Sequence, residues 1–120
     1  MNKTFIVILL AVVLLSGLAL AGTVDVVKNT KNAQGRNCSE IPNLINNQLG
    51  FNTLAVNWLE KQIGGITRVI LKVSAQKSIK DGTLTGSYNW KPEYVWEVRP
   101  PRRDVVPVNT LAKNWMEGKL

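Results

Sequence analysis

After Gly65 the dominant apolar spacing becomes two residues, and one strong turn signal follows at Asp81-Gly82. Val69, Leu71, Val73 and Ala75 face one way; Arg68, Lys72, Ser74 and Gln76 face the other. Asp81-Gly82 suits a two-residue hairpin turn, because both residues tolerate the positive φ such turns need. That turn pairs Lys80 with Thr83, and so sets Ile79 opposite Leu84, Ala75 opposite Tyr88 and Val73 opposite Trp90. A second turn is expected around Lys91-Pro92-Glu93. An odd-length loop there keeps Tyr94, Trp96 and Val98 on the apolar face, pairing Tyr88 with Trp96 and Gly86 with Val98. The pattern predicts a three-stranded antiparallel meander with one apolar face.

Upstream the spacing is different. Ser39 is a suitable N-cap and Pro42 fits a first helical turn. Leu44, Phe51, Leu54 and Trp58 then recur at three to seven residues, with Ile45, Ala55, Leu59 and Ile63 beside them. Asn46-Asn47 and Gly50 interrupt the stripe, so it reads as one kinked helix or two short ones, stopped by Gly64-Gly65. Residues 22–38 read as an arm or loop with a short strand at Val24, Val26 and Val27. At the other end Arg99-Pro100-Pro101-Arg102-Arg103 is expected as an extended connector, since two prolines remove two ladder donors. Asp104–Val108 follows as a short edge strand. Asn109 or Thr110 then caps a short helix carrying Leu111, Trp115 and Met116, ended by Gly118. The fold class is α+β: a helix on a three-stranded antiparallel meander, with a short C-terminal helix, in one small domain over 39–120.

The chain opens with Met1-Asn2-Lys3, an apolar run from Phe5 to Leu15, and Ala19-Leu20-Ala21. This is the layout of a secretory signal peptide over 1–21, cleaved before Gly22. Phe5 to Ala21 is short for a membrane span, which needs roughly 20 apolar residues. Lys3 leaves with the leader, so fourteen basic residues face eight acidic ones. The product is secreted, extracellular in a eukaryote or periplasmic in a bacterium, and meets the membrane only during export. Cys38, the one cysteine, excludes an intramolecular disulfide framework. Its polar surroundings, Gly35-Arg36-Asn37-Cys38-Ser39, suggest a surface thiol able to link two copies into a homodimer. Asn37-Cys38-Ser39 is also an N-glycosylation acceptor in a eukaryotic host.

The absence of histidine removes the commonest general base, the Ser-His and Cys-His nucleophile pairs and the usual zinc ligands. No paired-carboxylate or phosphate-loop pattern replaces them, so a non-enzyme without cofactor or metal is expected. The net charge favours an anionic surface, a polysaccharide or an acidic protein, with nothing pointing to a specific nucleic acid. The candidate binding residues are Arg99, Arg102 and Arg103, joined by Lys91 and Lys72, because arginine forks pair well with carboxylate, sulfate or phosphate. The expected function is that of a small basic binding or modulatory protein, a class that includes host-defence and inhibitor-like roles. The alternatives are an assembly subunit dimerised through Cys38 and a precursor cut at Arg102-Arg103 to release a cationic peptide. The expected layout is similar to that of the cystatin-type inhibitors. Where that family carries Gln-x-Val-x-Gly this chain has Gln76-Lys77-Ser78-Ile79-Lys80, and no Pro-Trp pair occurs.

Overall fold

The computed structural model describes residues 22–120, and the expected leader at 1–21 lies outside them. The architecture is α+β: a five-stranded, antiparallel sheet with short helices packed on one face. In chain order the elements are α1 (Thr23–Lys28), a 3-10 turn (Cys38–Glu40), α2 (Ile41–Leu49), β1 (Asn52–Ile63) and β2 (Ile66–Asp81). They continue with β3 (Leu84–Trp90), β4 (Glu93–Arg99), β5 (Asp104–Pro107) and α3 (Thr110–Met116).

The expected long helix is half helix and half strand. α2 buries Ile41, Leu44 and Ile45 and ends at Gly50, whose φ of 72° places it in the left-handed region that glycine enters without strain. Beyond it Thr53, Val56, Trp58 and Ile63 are β-branched or aromatic, and the chain extends as β1. A spacing of four, such as Leu54 to Trp58, satisfies a period of 2 as well as one of 3.6. That coincidence is why the stripe reads as helical. Gly64-Gly65 is therefore a hairpin turn, with Ile63 opposite Ile66, and β1 rather than a helix is the neighbour of β2.

The second turn of the predicted meander does not exist. Ala75 is opposite Trp90 and Lys72 is opposite Glu93, so β3 and β4 keep one register along β2. Lys91-Pro92 interrupts the ladder without bending the chain back. Proline has no N–H to donate, but the Pro92 carbonyl still accepts from the Val73 N–H at 3.1 Å. The predicted pairs Tyr88–Trp96 and Gly86–Val98 are thus absent. The first hairpin differs by two residues: Asp81 is opposite Leu84, with Gly82-Thr83 at the tip. Gly82 alone takes a positive φ there, 61°, the requirement of a type II′ turn. A slip of two leaves every side chain on its predicted face.

The sheet runs β1, β2, β3 with β4 in line, then β5. On one face Val69, Leu71, Val73, Ala75, Tyr94, Trp96 and Val98 are buried beneath the helices. Trp96 stacks between Trp58 and Tyr94, with ring centres 5.9 and 6.0 Å away. The N-terminal segment is helical, where a strand or loose arm is expected, and Val27 and Cys38 belong to the same core as Trp96. Its loop is organised by buried Asn32, whose Oδ1 accepts from the Gln34 and Arg36 N–H groups, each at 3.0 Å. At the C-terminal end Asn109 caps α3 through the Ala112 N–H, and Trp115 closes the core.

Candidate functional site

The sheet face opposite the helices carries no covering layer among the described residues. On it Arg68, Ile70 and Lys72 of β2 alternate with the buried positions, as do Glu93, Val95 and Glu97 of β4. None of the six is buried. A shallow depression of about 290 Å³ opens near this face, lined by Asn57, Lys72, Val73, Ser74, Lys91 and Glu93. The strand register explains the grouping. Asn57 is opposite Lys72 and Lys72 is opposite Glu93, one row across three strands, while Ser74 and Lys91 lie one step toward the Pro92 interruption. Lys72 Nζ lies 3.6 Å from Glu93 Oε1, with both side chains about half exposed. Such a pair is worth little to stability and is easily rearranged by a ligand. Lys91 is exposed beside it.

The five predicted basic residues do not form one patch. Lys72 and Lys91 line the depression. Arg99, Arg102 and Arg103 gather at the opposite end of β4, about 20 Å away at strand spacing. There the expected extended connector is a tight turn: Arg99 pairs with Asp104, and Pro100 to Arg103 span the four positions between them, with a cis Pro100-Pro101 bond. Arg99 is committed locally. Its Nε and Nη2 donate to Glu97 Oε1 at 3.3 and 2.8 Å, while Arg68 Nη2 donates to Glu97 Oε2 at 3.1 Å. The Arg99 hydrogen bond, then that of Arg68, holds the Glu97 carboxyl below its ordinary pKa. Arg102 is exposed and Arg103 half-exposed at a φ of 60°.

Cys38 is the clearest correction to the expected site. Its residue is 0 % exposed, and its Sγ accepts a hydrogen bond from Trp115 Nε1 at 3.3 Å. Burial pushes the thiol pKa up to about 11, so at neutral pH it holds its proton and is a poor nucleophile. The polar residues around it in sequence line a turn whose one apolar member points inward. A bond from this thiol to a second copy would require the helical layer to open. Asn37, next to it, is half-buried, and its N–H donates to Glu40 Oε2 at 2.6 Å.

Two features escaped the sequence reading. Ile79, Leu84 and Tyr88 continue the core face in register, yet are 49, 74 and 50 % exposed on a two-stranded arm beyond the helices. The signals were Lys77, Asp81 and Gly86 on the same face, and length: sixteen residues of β2 span about 53 Å, and the nine of α2 about 14 Å. The second is Ile70, which sits between Arg68 and Lys72 on the uncovered face. It forms an apolar row with Leu59 and Val95. Its place in the alternation announced it.

These features define a small two-layer α+β protein whose sheet is covered on one face and open on the other. No family model, no curated protein and no solved structure matches the chain.

Proposed function

We propose that the protein is a secreted, non-catalytic binding protein that takes an anionic partner at the open sheet face, in the depression between Lys72 and Lys91. One observation carries this reading: two lysines, an amide and a hydroxyl share a concave polar surface with a single carboxylate. Asn57 and Ser74 supply neutral hydrogen-bonding groups, and Glu93 holds Lys72 without burying it. A sulfated or carboxylated polysaccharide, or an acidic protein segment, offers the complementary charge. The Arg99–Arg103 turn is the second, weaker anion contact, because Glu97 already occupies Arg99. Release of a peptide at Arg102-Arg103 is the less favoured reading: the fragment from Asp104 onward would take β5 and the buried Trp115 out of the core.

Immobilised heparin tests the locus. The Lys72→Ser/Lys91→Ser protein is expected to elute at clearly lower salt than the wild type. Arg102→Ser is expected to shift elution less. Equal elution of all three proteins would remove the depression as the anion site. Mass spectrometry of the exported protein tests secretion, with Gly22 expected as the first residue.

A further inference from the structure

The β1 and β5 edges of the sheet are built differently. β5 is four residues long and ends in Pro107, which offers no donor. β1 runs twelve residues without a proline. Asn46 Oδ1 accepts from the Thr53 N–H at 2.8 Å and closes the beginning of the β1 edge. From Ala55 to Ile63 nothing among the described residues pairs with that edge. Along it Val56, Leu59 and Ile63 are 40, 44 and 42 % exposed. Glu60 and Lys61 are the charged members of this stretch, and Glu60 accepts from the Thr23 hydroxyl. A long edge without a backbone partner presents a row of backbone donors and acceptors that another extended strand satisfies at matching spacing.

We propose that a second copy of this chain supplies that strand, β1 against β1, antiparallel about a two-fold axis at Leu59. The open stretch has Leu59 at its midpoint, so self-pairing uses all of it. The register also keeps faces together. Val56 meets Gln62 of the second copy, Trp58 meets Glu60, Asn57 meets Lys61 and Ala55 meets Ile63. No like charges stand directly opposite, an arrangement that would destabilise the pair. On the open face the row Val95–Ile70–Leu59 continues across the axis into Leu59–Ile70–Val95 of the second copy. Six partly exposed apolar side chains thereby form one strip on a continuous sheet. The contact is isologous, so it closes as a dimer and leaves the β5 and β3 edges of each copy outward. The two readings share Asn57, which lines the depression and faces Lys61 of the second copy, but neither rests on the other, and Leu59 on the axis does not line the depression.

Sedimentation of the exported protein over a concentration series is the direct test, with a reversible monomer–dimer equilibrium expected. Leu59→Lys should abolish the dimer while leaving the thermal midpoint unchanged at dilutions where the wild type is monomeric, since Leu59 is 44 % exposed in the monomer. Leu59→Cys should crosslink to a dimer on mild oxidation, because facing residues on the axis have Cβ atoms about 4.5–5.5 Å apart. Ala55→Cys should not, since its two copies would lie about 26 Å apart along the strands. A wild type that stays monomeric at every concentration would overturn the proposal. So would a dimer that survives Leu59→Lys, or equal crosslinking at positions 59 and 55.

Discussion

The two ends of the long β2 ribbon obey one alternation and reach opposite fates. From Thr67 to Ala75 every second side chain of β2 is buried, and Tyr94, Trp96 and Val98 complete the layer from β4. From Lys77 to Asp81, and across from them on β3, the same face is exposed. The strands themselves already differ: on the outer half that face carries Lys77, Asp81 and Gly86 beside Ile79, Leu84 and Tyr88. The layer above them differs too: α1, α2 and α3 cover the first half, while the second extends past the helical layer. At the boundary Phe51 packs on Trp90 and Tyr88, with ring centres 5.2 and 5.8 Å away. Lys77 completes it, donating to the Leu49 carbonyl at 3.2 Å and lying over the Phe51 ring. Burial here is a property of the partner layer, and alternation only makes a strand eligible for it.

Tryptophan truncation breaks the comparison most forcefully. Trp96→Ala is expected to cost about 3–5 kcal/mol, as for a fully buried aromatic. Trp90→Ala, at the half-buried boundary, should cost about 1–2 kcal/mol, between a core truncation and a surface change. Urea unfolding of both variants measures the ratio, and equal losses would mean that the arm is as well covered as the body. A smaller effect is expected farther out. Ile79→Ser and Leu84→Ser should each change stability by no more than about 0.5 kcal/mol. Hydrogen exchange sharpens the point: amides from 78 to 87 should exchange faster than those from 67 to 73, because a lone two-stranded hairpin is marginal in water.

The smallest effect is electrostatic and belongs to the covered half. Glu97 has a pKa below its ordinary 4.5, held there by Arg99 and then Arg68. A depressed carboxyl stabilises the fold above its unfolded pKa, and that contribution disappears as pH falls through the folded value. Thermal midpoints should therefore fall on acidification below about pH 4.5. Glu97→Gln should flatten part of that fall while lowering stability slightly at neutral pH. A wild type and variant with parallel pH profiles would mean that the two arginines do not hold Glu97 in solution.

Much of the sheet was legible because side-chain direction is local. The face of each residue from Val69 to Val98 follows from parity, and a two-residue error at Asp81-Gly82 leaves it unchanged. The terminal helix was equally readable, since Asn109, Leu111, Trp115 and Gly118 mark its cap, face and end. β1 was not, because its apolar spacings of four fit helix and strand alike. The absent turn at Lys91-Pro92-Glu93 shows the limit of turn chemistry: proline removes a donor, but only neighbouring strands decide whether the chain bends. Of the candidate site, the residue types were legible and their grouping was not. Lys72 and Lys91 meet because β2 and β4 pair in a particular register, and the three arginines lie a strand's length away for the same reason.

By itself the sequence determined the α+β class, the apolar face of the ribbon and the lone thiol, all set by composition or by neighbours a few residues away. Tertiary structure alone decided that Cys38 lies beneath Trp115, that the β1 edge has no backbone partner among the described residues, and where along the ribbon the helical layer stops. Those outcomes depend on which segments far apart in the chain come to lie over one another, and short-range pattern carries no record of that.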